Sequence, residues 1–260
     1  MTMTFAPPNM PDGAFYETDL FIPQYRLATA GNGWRLKAAA LSTSVGYWTP
    51  ARLVRDMIAL IRNGDTWMST APMELESQEI GIRLAHGHVL IGGMGMGWCA
   101  LNCALSPRVT RVTVVELDPD ILELHRALDL AAQLPDEARA KLNIVQGDAY
   151  TYMPDRPVDL LMPDIWLPLM NDGRVEEVRG MQANARAREI YFWGQELEIA
   201  RHAVAWGHGL DGAGIAATIA RMDLPLIGPE MPDYPDKLRA AARQHMRGRW
   251  LPGTEAPKGL

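Results

Sequence analysis

The spacing of hydrophobic and polar positions changes character three times along the chain. Between Asp19 and Ala40, "DLFIPQYRLATAGNGWRLKAAA" has two short strand-like runs around Gly31-Asn32-Gly33, a pattern that predicts a β-hairpin. In "TPARLVRDMIALIRNG" the apolar residues recur at helical spacing. Thr49 as cap, Pro50 at the first helical position and Gly64 as stop predict a helix there. "DTWMSTAPMELESQEIGIRLAHG" then predicts a short strand and a helix ending near Gly87.

In the middle zone, near-continuous apolar runs alternate with helical patterns. Strand "HVLIG" leads through glycines into a helix over 97–105, and strand "RVTVVEL" into helix "DPDILELHRALDLAA". "KLNIVQG" and "VDLLMPDIW" (158–166) add two more strands. Strands of this kind, separated by helices, predict an α/β fold with a parallel sheet covered on both faces. Right-handed crossovers place all the strand C-termini on one edge, where such sheets bind ligands. From about Asn171 the pattern is mainly helical. "VEEVRGMQANARAREIYFWGQELEIARHAVAWG" fits one long helix or two, and residues 212–221 fit either a fifth strand or a short helix. "PDKLRAAARQHMRG" predicts a last helix, followed after Trp250 by a loose tail. The expected organisation is an N-terminal hairpin and helices (1–84), an α/β core (85–170) and a helical C-terminal part of the same domain (171–260).

Composition narrows the picture. The chain has 260 residues, 48% hydrophobic and 22% charged, enough to bury a sizeable core. A net charge of −6 supplies no field that attracts nucleic acid or anionic lipid. No apolar run approaches the roughly 18 residues of a membrane span. The start, "MTMTFAPPNMPDG", has no basic flank or apolar run and reads as a Pro-rich leader, so a cytoplasmic location is expected. Cys99 and Cys103 lie four apart on a predicted helix with no second pair, and read as small buried hydrophobes rather than a zinc site. The six histidines show no metal-ligand spacing, so no metal is expected.

The chemistry concentrates at the strand ends. After the first core strand come Gly92, Gly93, Gly95 and Gly97, just before a helix. A strand, a glycine turn and a helix N-terminus bring backbone N–H groups close to a ligand. The dinucleotide fingerprint read from Gly93 requires glycine at 98, where Trp98 stands, and there is no Walker lysine. Glu116 ends the next strand about 20 residues on, where a carboxylate can accept both hydroxyls of a ribose. Asp148, with Ala149, ends the third strand and suits either an adenine amino group or a helix cap. Asp164 ends the fourth, ahead of Trp166.

The segments "VLIGGMGMG", "VTVVELDPDILEL", "VQGDAY" and "VDLLMPDIW" resemble the class I S-adenosylmethionine-dependent methyltransferase superfamily, most closely its spermidine synthase-like branch, over about residues 65–170. The resemblance implies a Rossmann-like, mostly parallel sheet with helices on both faces. It places Gly92, Gly93, Met94, Gly95 and Gly97 on the methionine part of the cofactor. Glu116 and Leu117 then meet the ribose, and Asp148 and Ala149 the adenine. The departures are as informative. Spermidine synthases read GGGDGG at the glycine loop and D-x-x-D after the fourth strand; Gly95 and Leu167 here replace two of those aspartates. Holding a polycation without those counter-charges is costly, which demotes aminopropyl transfer. Ile91 stands where an acidic residue often precedes the first glycine, and the usual C-terminal antiparallel strand pair is not evident.

Asp164 is the candidate catalytic residue, orienting an amine or hydroxyl, or acting as a general base if burial raises its pKa. Trp166, Met94, Met96 and Met162 fit an apolar wall or ordinary core. Glu74, Glu76 and Glu79 read as helix surface, with Glu79 in the segment that covers the site in the family; Glu79 and Trp166 are therefore assigned to a substrate pocket. The expected function is S-adenosylmethionine-dependent methyl transfer to a small-molecule acceptor. The alternatives are aminopropyl transfer and nucleoside binding without catalysis. A homodimer fits these expectations; nucleic acid and membrane partners do not.

Overall fold

The computed structural model describes residues 14–260, and the leader expected over residues 1–13 lies outside them. Its first sheet is small and antiparallel, with strands β1 (Arg35–Ser44), β2 (Arg52–Arg62) and β3 (Asp65–Ser69) in the order β1-β2-β3. Residues 52–62, expected as a helix, are thus its central strand. Asn63 and Gly64 both have positive φ (53° and 95°) and join Arg62 directly to Asp65. That pair makes a two-residue hairpin, and pairing on both sides satisfies the backbone of β2. The hairpin expected around Gly31–Gly33 shrinks to a 3-10 turn with one bridge, Thr29 to Arg35. The preceding residues run across the core instead. There the Phe21 N–H donates to Asn102 Oδ1 and the Gln24 N–H to Gln133 Oε1, each at 2.8 Å.

The core follows with α1 (Pro72–Leu84), β4 (Gly87–Gly92), α2 (Trp98–Leu105), β5 (Val109–Glu116), α3 (Pro119–Leu128) and the short α4 (Asp136–Arg139). Strands β6 (Leu142–Gln146) and β7 (Leu160–Pro163) come next, then α5 (Arg174–Ala185), β8 (Glu189–Ile190), α6 (Gln195–Ala205), α7 (Gly212–Met222) and α8 (Tyr234–His245). The sheet order is β6-β5-β4-β7-β8 with every pairing parallel. This is the doubly wound, Rossmann-like arrangement, with β4 at the centre and buried from His88 onward. The strand order reverses between β4 and β7, which opens a crevice above their C-terminal ends.

Strand β8 is the element the helical reading of residues 175–207 lacked. The run Ile190 to Trp193 is buried and extended along β7: Tyr191 N–H donates to Leu161 O at 3.0 Å and Trp193 N–H to Pro163 O at 3.1 Å. It separates α5 from α6, and residues 212–222 resolve as helix. No antiparallel pair closes the parallel sheet among the described residues. After Trp250 there is no further helix or strand, although Trp250 and Leu260 pack against the core. Cys99 and Cys103 are buried free thiols. Among the described residues no helix is long and apolar enough to cross a membrane, and no cluster of His, Cys, Asp or Glu could hold a metal.

Two of the three α1 glutamates are buried rather than solvated, at 6% exposure for Glu74 and 2% for Glu76. Glu76 accepts the N–H groups of Trp48 (2.9 Å) and Thr49 (3.1 Å), pinning the β1–β2 connection to α1. A second buried acid, Glu196, accepts the hydroxyls of Tyr47 and Tyr191 at 3.1 and 3.2 Å. Burial lifts its pKa to about 7.

The small sheet is held to the core through its own buried face. Leu60 on β2 is 1% exposed and packs into the common core. Truncating it as Leu60→Ala should cost about 2–5 kcal/mol, the range for buried leucines. Urea unfolding measures this; a change below about 1 kcal/mol, the level of a surface substitution, contradicts the strand placement of β2.

Candidate functional site

At the C-terminal end of β4 the chain turns through the glycines, and their tightest constraints come from the protein itself. Gly93 has φ of 89°, and a Cβ there would run into the Asp164 carbonyl oxygen. Gly95, with φ of 49°, would strike the Met68 sulfur from β3. Gly92 is packed beneath Ala149, whose methyl lies 3.1 Å from a Cβ placed on it. The loop is then fixed by hydrogen bonds. Gly93 N–H donates to Val115 O and Met94 N–H to Glu116 Oε2, both at 2.8 Å. Glu116 Oε1 accepts the Asp118 N–H, also at 2.8 Å. Burial pushes the Glu116 carboxyl up and these N–H groups pull it back.

Above this edge lies a cavity of about 460 Å³. Of the residues expected at the site, it gathers Gly93, Gly95, Glu116, Leu117, Asp148, Ala149, Asp164 and Trp166. Asp148 also accepts the Tyr150 N–H at 2.9 Å, so its turn-capping role and its place on the cavity coexist. Met94 and Gly97 face a different cavity, on the other side of the loop. Met96 and Met162 belong to the core. Glu79 stands on another flank of α1, ion-paired with Arg83 at 2.6 Å.

Several contributors escaped the sequence reading. The small sheet, with Trp34 just before its first strand, supplies a roof of Trp34, Leu60, Arg62, Trp67 and Met68. Helix α1 supplies Gln78, whose Nε2 donates to Asp164 Oδ2 at 2.8 Å. Glu74 lies one turn before Gln78, and the charge of Asp164, after burial, helps raise its pKa. The Asn63-Gly64 turn was the signal for the roof, because it requires two strands meeting at residues 62 and 65.

The cavity is acidic. Glu116, Asp118, Asp148 and Asp164 line it, against the single guanidinium of Arg62. Asp118 accepts Trp34 Nε1–H at 2.8 Å and pairs with Arg62 Nη1 at 3.4 Å. Trp34 meets Trp67 edge to face, with ring centroids 5.4 Å apart. Trp166 donates to the Tyr150 hydroxyl at 3.1 Å, and the Arg174 guanidinium lies 3.8 Å from its ring centre. Arg174 is fully buried and donates to the carbonyls of Pro168 (2.9 Å) and Trp193 (3.1 Å). β7 stops at Pro163, so Asp164 turns off the sheet with its remaining exposed surface on the cavity. Burial raises its carboxyl to about 7, opposed by the Gln78 amide and the charge of Arg174.

Comparison with known proteins gives structural similarities only. No protein-family model matches the chain, and no curated protein matches it in sequence. Part of the chain is similar to the glycopeptide N-methyltransferase MtfA complexed with (S)-adenosyl-L-homocysteine, at 24% identity and TM-score 0.34, over 43% of this chain and 42% of that one. The methyltransferase domain of bacterial CtHen1 is similar at 15% identity and TM-score 0.34, over 44% of this chain and 63% of that one. A DhpI–SAM–HEP complex is similar at 18% identity and TM-score 0.31, over 43% and 46%. The similar region thus spans less than two thirds of each of these proteins.

The raised carboxyl of Asp164 has a consequence for stability. Its folded pKa of about 7 lies above the ordinary 3.8, so the fold favours the protonated form. The wild type therefore loses stability as pH rises from about 4 through 7. Asn at this position cannot ionise. The melting temperature of Asp164→Asn relative to wild type should accordingly increase from pH 5 to pH 8. A difference that stays constant over this range shows that Asp164 titrates normally.

Proposed function

We propose that the protein is an S-adenosylmethionine-dependent methyltransferase acting on a small-molecule acceptor. One observation carries this reading: a single cavity at the reversal of strand order gathers the glycine loop, Glu116 and Asp148 from three strand ends together with Asp164 from the fourth. The residues fit the cofactor. Glu116 keeps acceptor capacity for ribose hydroxyls, and Asp148 with the Ala149 backbone offers the acceptor and donor that adenine requires. Aromatic faces in an acidic enclosure favour a sulfonium cation. When bound, the cofactor supplies a methyl group on cationic sulfur.

The chain's own part in the chemistry is alignment and proton handling. Gly93 and Gly95 let the Asp164 carbonyl and Met68 close on the loop, while Trp34, Trp67 and Met68 line the roof of the crevice. Asp164, held by Gln78, orients the acceptor's hydroxyl or amine, and a carboxyl with pKa about 7 can take its proton near neutral pH. Because methyl transfer depends mainly on alignment, one such group is sufficient. Replacing Glu116 by alanine should weaken binding of S-adenosylhomocysteine by about 1.5–3 kcal/mol, the scale of hydrogen bonds to a charged group. Calorimetry on the variant, with its fold checked by circular dichroism, tests this. Wild-type affinity in a folded Glu116→Ala protein removes the assignment.

Aminopropyl transfer is the second reading, and the acidic lining of the cavity by Glu116, Asp118, Asp148 and Asp164 favours it. Against it, Arg62 lines the same cavity and can partner the cofactor carboxylate that the decarboxylated form lacks. S-adenosylmethionine should therefore bind more tightly than its decarboxylated form by about 1–2 kcal/mol. Parallel titrations in one buffer decide between them, and equal or reversed affinities favour aminopropyl transfer.

A further inference from the structure

The reverse side of the glycine loop borders a second cavity of about 400 Å³. It lies between the sheet, at Val114 and Ile144, and the helices α2 and α3, at Leu101 and Leu122. This wall is apolar, apart from one buried polar group, His125, at 8% exposure. Arg126, Asp129 and Gln146 are placed around the same space, and Ile144 is 45% exposed at its outer side.

The state of His125 follows from its partner. Nε2 lies 2.9 Å from the Gly95 carbonyl oxygen, which can only accept, so Nε2 carries the proton. Burial lowers the pKa of the ring and keeps it neutral at pH 7. Nδ1 is then an acceptor, and among the described residues no donor reaches it. The space is open on its outer side, and an apolar ligand seated in it would take the apolar wall of Leu101, Val114, Leu122 and Ile144 out of water.

We propose that this cavity is a second binding site, for a small, largely apolar molecule with one O–H or N–H group that donates to His125 Nδ1. The volume lies within the range of small-molecule sites, and so does a largely apolar inner wall with a few polar groups, His125 within it and Arg126, Asp129 and Gln146 around it. The site is separate from the first cavity and does not depend on what that cavity binds.

Phenol is the test probe, with toluene as the partner lacking a donor, each titrated into the full chain while backbone amide shifts are followed by NMR. Saturable shifts confined to the lining of this space, on α2, α3 and the turn after it, β5, β6 and the glycine loop, are expected, with phenol binding about five- to tenfold more tightly than toluene. A wholly apolar cavity prefers toluene, so the order of the two ligands reports the acceptor. Ala131→Phe and Ile144→Trp, which fill the space from its more exposed side, should each abolish the phenol shifts while the protein stays folded. No saturable shift, shifts scattered over the surface, a preference for toluene, or shifts retained in both folded variants would each overturn the proposal. Titration of S-adenosylhomocysteine in the same samples is independent, and its failure bears on the first cavity alone.

Discussion

The structure of the first cavity depends on one buried carboxylate. Glu116 ends β5 and spends one oxygen on the Met94 N–H and the other on the Asp118 N–H. Each such bond to a charged acceptor contributes about 1.5–3 kcal/mol, enough to hold a glycine-rich loop whose backbone has little conformational preference of its own. The second bond carries the effect further. Asp118 caps α3 through the Asp120 N–H at 2.9 Å, and its other oxygen receives Trp34 and Arg62 from the small sheet. Two adjoining carboxylates thus join the loop, the helix after β5 and the roof of the cavity. The roof is not an independent appendage. It is bound to the strand end that forms the floor.

The parallel core was legible in the sequence because its strands are buried on both faces, and near-continuous apolar runs such as Val89 to Ile91 leave little ambiguity. The small sheet was not. Leu53, Met57, Leu60 and Ile61 reproduce a helical spacing, yet β2 is half-buried and pairs on both edges, so tertiary pairing prevailed over local period. Asn63-Gly64 carried the contrary signal, as did the β-forming run Ile190 to Trp193 for β8. The glutamates of α1 were misread for a different reason. Charge on a helix normally marks solvent, but Glu76 is bound by the chain from Tyr47 to Thr49, and Glu74 is buried within reach of the Asp164 charge, both distant in sequence. The glycines were read as a place where a ligand approaches the backbone. Sequence could not tell that the nearest atoms would be the Asp164 carbonyl and the Met68 sulfur.

The helical C-terminal third resembles nothing in its sequence pattern, but it fixes one wall of the site. Arg174 begins α5 and is held by Asn171 and by the Pro168 and Trp193 carbonyls. Burying a guanidinium without partners is costly, so these bonds determine where it can sit. That position is the face of Trp166, and its charge also lowers the pKa of Asp164 against the effect of burial. The electrostatic state of the candidate base is therefore set from two sides, by Gln78 on α1 and by Arg174 on α5. Neither residue belongs to the strand that carries Asp164.

The glycine loop also acts as a partition. Gly93 and Gly95 border the acidic cavity, while Met94 and Gly97 border the apolar one. Glu116 fastens it through the Met94 N–H, and His125 through the Gly95 carbonyl. A loop held at adjacent residues by groups from β5 and α3 cannot shift toward either cavity without stretching one of these bonds. Small residues on the acidic side leave space where Asp164 and the roof converge, and the methionine side chain on the other side closes the sheet–helix interface. The backbone at Met94 and Gly95 is thus tied to β5 on one side and α3 on the other, and it serves both cavities.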